Sequence, residues 1–119
     1  MEIKIEQKGE ITILCFRNNI TESDIPLFES TLSTMLSKNS KIIVSMTGAR
    51  SAEAAEWQIA NVLCNLATEA TKQGKKIAIA CLPSEILCKA NQLRLGAKAR
   101  VFCQENPAVT FLVDADIAA

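Results

Sequence analysis

Lys41-Ile42-Ile43-Val44-Ser45-Met46-Thr47-Gly48 is a short continuous run, largely apolar and closed by a threonine and a glycine. A β-branched run without polar alternation fits a strand covered on both faces, as at the centre of an α/β sheet. After it, a helix is expected from Ala52 to about Gln73. Ile59, Val62, Leu63, Leu66 and Ala70 recur there at helical spacing, and Gly74 stands where a left-handed C-cap is needed. Lys76 to Cys81 repeats the strand signature, Leu82-Pro83-Ser84-Glu85 opens another helix, and Ile86, Leu87, Ala90 and Leu93 carry it toward Gly96. Strand and helix thus alternate twice, which predicts parallel strands joined by right-handed crossovers with helices packed on the sheet.

Working outward, Glu2 to Glu6 alternates polar and apolar residues, Lys8-Gly9-Glu10 breaks the pattern, and Ile11 to Phe16 resumes it, so the chain opens on a hairpin. Thr21 or Ser23 can cap a following helix that tolerates Pro26 in its first turn and carries Ile25, Phe28, Leu32 and Met35 to an end near Lys38-Asn39. In the tail, Val109 to Val113 has strand composition and Asp114 to Ala119 suits a helix, so either a fifth strand or a final helix fits. No linker, internal repeat or low-complexity segment interrupts the 119 residues, and one domain spanning 1–119 is expected.

Composition narrows the function classes. Hydrophobic residues at 49% and charged residues at 22% describe a chain with a core, and thirteen basic against thirteen acidic residues give no overall field toward nucleic acid or an anionic membrane. Histidine is absent, which removes histidine-based triads and Cys/His zinc sites. The odd set Cys15, Cys64, Cys81, Cys88 and Cys103 lacks C-x-x-C spacing and reads as buried free thiols in a reducing compartment. The N-terminus lacks a signal-peptide core, and no run approaches the roughly 20 apolar residues of a spanning helix, so a cytoplasmic protein is expected. No phosphate-cradling or hydrolytic motif occurs, which argues against an enzyme and gives no reason to expect a cofactor or metal.

The candidate site is the passage from the buried strand into the next helix, where helix amides point outward and carry partial positive charge. Ser51 fits an N-cap, with Glu53 and Glu56 in the first turn. The same residues read equally as ordinary capping. Trp57, the sole tryptophan, suits either an interface anchor or packing against the sheet. Lys72, Lys75 and Lys76 read as partners for a helix C-terminus, and Ser84-Glu85 as a helix start.

The segments EIKIEQKGEITIL (2–14), NITESDIPLFESTL (19–32), KIIVSMTG (41–48) and GKKIAIACLPSEI (74–86) together resemble, in order, the STAS domains, specifically the anti-sigma factor antagonists of bacterial partner switching. The resemblance implies a mixed sheet of four to five strands with helices packed mainly on one face. It also implies a regulatory role exercised through binding an anti-sigma factor that is itself a GHKL-type serine kinase. In that family a motif close to Asp-Ser-Ser-Gly follows the strand corresponding to KIIVSMTG, and one of its serines is phosphorylated by that kinase. An ungapped count from Gly48 sets Glu53-Ala54-Ala55-Glu56 on the motif, whereas a count backward from Gly74 sets Ala55-Glu56-Trp57-Gln58 there; the first is preferred. Both remove the phosphoacceptor hydroxyl.

Three outcomes follow: a permanently competent binder if Ala54 and Ala55 imitate bare serine, a permanently weakened one if Glu56 imitates phosphoserine, or phosphorylation moved to Ser51. The surface implied for the partner is Ser51, Glu53, Ala54, Ala55, Glu56 and Trp57. The rival reading from the same resemblance is an accessory subunit of a lipid ABC or anion transport complex, and a third is a small-ligand sensor. None of these requires nucleic acid or insertion into a membrane.

Overall fold

The computed structural model describes residues 1–117. Strand β1 (Glu2–Lys8) turns through Gly9, at φ +60°, into the long strand β2 (Ile11–Ile20), with which it pairs antiparallel from Glu2↔Arg17 to Lys8↔Ile11. The expected hairpin is present. A 3-10 turn, Glu22–Asp24, leads into helix α1 (Ile25–Lys38), whose Pro26 lies in the first turn, where an amide needs no helical partner. Strand β3 (Lys41–Ser45) follows, buried throughout, then the short strand β4 (Ala49–Ser51), a second 3-10 turn at Glu53–Ala55, and helix α2 (Glu56–Lys72). Strand β5 (Lys76–Ala80), helix α3 (Ser84–Gln92), strand β6 (Arg100–Phe102) and helix α4 (Glu105–Ile117) complete the described chain.

The sheet is mixed and six-stranded, ordered β1-β2-β3-β5-β6 with β4 alongside β2. Only β1 runs antiparallel; β2, β3, β5 and β6 are parallel in sequence, and KIIVS is the middle strand of the path. The sequence suggested four to five strands. The two it did not disclose, β4 (ARS) and β6 (RVF), have three residues each, too few to show a period.

Alternate residues of the strands feed two cores, as the two-residue period of a strand requires. Leu14, Phe16, Ile42, Val44, Ile77 and Ile79 meet α1, α2 and α3 through Phe28, Leu32, Ile59, Leu63 and Ile86. Phe16 and Phe28 pack edge to face with ring centroids 4.8 Å apart. Ile11, Ile13, Cys15, Ile43, Ala78 and Ala80 form the opposite face, covered by Ala108 and Leu112 of α4. Three helices therefore lie on one face and one on the other.

The tail corrects one strand expectation. Val109 to Val113 lies inside α4, because Ala108 and Leu112, four apart, form one helical row on the alanine-lined sheet face. Of the expected helix Asp114–Ala119, residues 118–119 lie outside the described residues. The cysteine expectation is also revised. All five are free, but only Cys15 and Cys64 are buried, Cys81 is half-buried, and Cys88 and Cys103 are exposed. Lys75, expected at the C-terminal pole of α2, instead donates from Nζ to the Leu36 carbonyl at the end of α1.

Candidate partner-binding site

Loop 47–57 leaves the carboxyl end of the middle strand, the position that in open α/β sheets faces outward and gathers ligand and partner contacts. The chain bends at Gly48, φ +77°, a backbone conformation that favours glycine. It then runs parallel to the end of β2: Asn18 pairs with Ala49, Asn19 with Arg50 and Ile20 with Ser51. The Asn18 amide donates to the Gly48 carbonyl at 3.2 Å, and the Ala52 amide to the Ile20 carbonyl at 3.0 Å. β2 can serve β1, β3 and β4 because it bends at Asn18, φ +64°, a left-handed residue of a type that tolerates it.

This short ladder overturns the expected helix start. Backbone pairing keeps Ser51 extended, so it is a half-buried strand residue and not a cap. Ala52 caps the 3-10 turn, and Ala55, whose amide donates to the Ala52 carbonyl at 2.9 Å, caps α2. The helix begins four residues later than its periodicity implied.

Along the turn, Glu53 and Ala54 are exposed, Ala55 is buried, and Glu56 is turned inward at 5% exposure. Glu56 Oε1 accepts from Lys89 Nζ of α3 at 3.2 Å, a bond between α2 and α3 that neutralises the carboxylate where it is buried. Lys89 Nζ also sits 5.7 Å from the Trp57 ring centroid. Trp57 itself is 42% exposed, which removes the alternative of packing against the sheet. The structure brings Ser51, Glu53 and Glu56 around one open depression of about 630 Å³, together with Arg50 from β4 and Pro83 and Glu85 from the start of α3. Trp57 and Ala54 do not line it.

Pro83, Glu85 and Lys89 were not identified as neighbours of this site from sequence. Ser84-Glu85 carried a helix-start signal, but the approach of α3 to α2 is a tertiary fact with no local signature. A second groove, of about 410 Å³, lies between α1 and α2 and is lined by Leu32, Leu36, Val62 and Leu66 with Glu29 and Glu69; it shares no residue with loop 47–57. Among the described residues, no cluster of three or more His, Cys, Asp or Glu side chains is placed to hold a metal, and no helix is long and apolar enough to cross a membrane.

No family model matches the sequence, and no curated protein does. Solved structures match it closely in shape. An anti-sigma factor antagonist from Mycobacterium paratuberculosis superposes with a TM-score of 0.79 at 9% identity, covering 95% of this chain and 94% of its own. An anti-sigma-factor antagonist (STAS) domain protein from Planctomyces limnophilus gives 0.73 at 11%, covering 93% and 97%. The Bacillus cell fate determinant SpoIIAA in its phosphorylated form gives 0.68 at 13%, covering 93% and 99%. At such identities the likeness is one of architecture, and what it establishes is that this chain has the fold of the STAS-domain anti-sigma factor antagonists.

Proposed function

We propose that the chain is a regulatory protein-binding module of the anti-sigma factor antagonist kind, and that its partner is an anti-sigma factor or serine kinase of the GHKL type. The surface is loop 47–57 with the exposed start of α2, centred on Glu53, Ala54 and Trp57. The observation that carries this reading is the arrangement at the helix start: an exposed alanine at 54, a buried one at 55, and an exposed tryptophan two residues beyond. Large aromatics anchor protein interfaces more often than other side chains do.

The same arrangement favours one of the three switching outcomes. Ala54 occupies the exposed position where a phosphate is expected, and a methyl group cannot receive one. Glu56 is held inward by Lys89, so its charge is not displayed as a phosphoserine's would be. Ser51 is half-buried in a strand whose backbone is already paired with β2, which withholds it from a kinase cleft. The module is accordingly competent to bind at all times, without the phosphate's additional charge of about −1.5 to −2.

Calorimetric titration against GHKL-type kinases of the same genome tests the reading. Binding by the wild type is expected. Ala54→Glu is expected to weaken it at least tenfold by placing charge at the interface, and Trp57→Ala by roughly 2 kcal/mol or more. Incubation with kinase and ATP is expected to leave residues 51–56 unmodified by mass mapping, while Ala54→Ser acquires one phosphate. Equal affinity of wild type, Ala54→Glu and Trp57→Ala would exclude this surface.

A further inference from the structure

At the opposite end of the sheet, where β5 and β6 begin, the structure gathers cations. A depression of about 190 Å³ is lined by Lys75, Lys76, Lys98 and Arg100, with Thr71 and the Phe111 ring among its walls, and among the described residues no acidic side chain lines it. We propose that this basic depression is an anion site that takes a terminal phosphate group, separate from the partner surface at the other end of the strands.

The four cations differ in what already occupies them. Lys75 is committed to the Leu36 carbonyl. Lys76, Lys98 and Arg100 are exposed and form no ion pair among the described residues. The simplest use for lysines here is to offset the negative pole of α2, but the main chain already meets its last carbonyls. The Gln73 amide donates to Glu69 at 3.0 Å, Gly74 to Thr71 at 3.2 Å and Lys75 to Ala70 at 2.8 Å. Three unpaired like charges around one hollow repel each other, and an anion relieves that repulsion.

Arg100 supplies the geometry. Its guanidinium lies 5.2 Å from the Phe111 centroid and 5.8 Å from that of Phe102, so two rings hold the planar fork in position, with donors suited to two phosphate oxygens at once. Pockets for whole small molecules measure about 300–1,000 Å³. A hollow of about 190 Å³ accommodates a phosphate and a short attachment, the remainder of the ligand staying in solvent. A lipid headgroup and a free phosphate compound share that chemistry.

The test uses inorganic pyrophosphate as probe, titrated at constant ionic strength against the full chain and followed by backbone amide shifts. Saturable shifts confined to residues 71–77 and 98–102 are expected. The Lys76→Gln, Lys98→Gln double variant, which alters two exposed side chains, is expected to bind at least about tenfold more weakly, since two charged donors are removed from the hollow. Lys72→Gln, outside the hollow, is expected to bind as the wild type does. Shifts spread over every lysine-bearing segment, or equal binding by wild type and double variant, would overturn the proposal. Co-sedimentation with vesicles of phosphatidylglycerol in phosphatidylcholine, abolished in the double variant, assigns the phosphate to lipid; pyrophosphate binding without co-sedimentation assigns it to a free compound. Duplex DNA that binds more tightly than pyrophosphate through the same lysines would replace the proposal with a nucleic-acid surface.

Discussion

Position 54 carries a methyl group open to solvent, and the carboxylate two residues later points inward to a lysine from another helix. The types of these residues were legible in the sequence; their directions were not. The count backward from Gly74 put Glu56 on the acceptor position, able to imitate a phosphate, and its burial against Lys89, 33 positions away, marks it as a structural carboxylate instead of a displayed one. Glu56→Ala leaves the Lys89 ammonium, 23% exposed, without its partner. A loss of about 1–3 kcal/mol is expected in urea unfolding, and a cycle with Lys89→Ala is expected to return a clear coupling between the two. Asp24 is another residue whose role is specific. Its Oδ2 accepts from the Thr21 amide at 2.9 Å and hydroxyl at 3.2 Å, and the amide bond chiefly holds its carboxyl below the usual carboxylate value. A carboxyl lowered in the folded state stabilises at neutral pH and loses that contribution as acid protonates it. Thermal melts of Asp24→Asn are therefore expected to show a smaller fall than wild type between neutral and acidic pH, together with a lower melting temperature at neutrality.

Among the elements, those with a strong period were readable and those held by a neighbour were not. The hairpin, α1, the KIIVS strand and α2 each repeat their apolar residues often enough to declare a face, whereas β4 and β6 exist because β2 and β5 offer them a ladder. The sequence leaves helix α4 open between a strand and a helix for a different reason. Its Val109, Phe111 and Val113 have strand composition, and Val113 is exposed, so the apolar pattern marks no single face. As a helix it sets Ala108 and Leu112, four apart, in one row on the sheet face that includes Ala78 and Ala80. Leu112 is fully buried there. Leu112→Ala is expected to lower stability by about 2–5 kcal/mol, read by chemical denaturation, and to raise hydrogen exchange across α4 before the rest of the chain.

For the molecule as a whole, a net charge of zero hides a distribution in which basic groups collect where β5 and β6 start while Glu53, Glu56 and Glu85 surround the other end beside Arg50. Summed charge gives the average and says nothing about placement, because Lys76 and Arg100, which line one hollow, stand 24 positions apart in sequence. The thiols report the fold in the same global way. Burial raises Cys15 and Cys64 above the usual thiol value, while Cys88 and Cys103 stand in solvent. Maleimide labelling of the native chain is expected to reach Cys88 and Cys103 first, Cys81 more slowly, and Cys15 and Cys64 only on unfolding. The three-residue pairing of β4 with the far end of β2 has a consequence of its own. Because loop 47–57 is stitched into the sheet instead of hanging free, a protein docking on the proposed surface would meet backbone whose entropy was already surrendered during folding. Gly48→Val, strained at a φ of +77°, is expected to loosen that stitch and to weaken binding to the proposed partner in calorimetric titration.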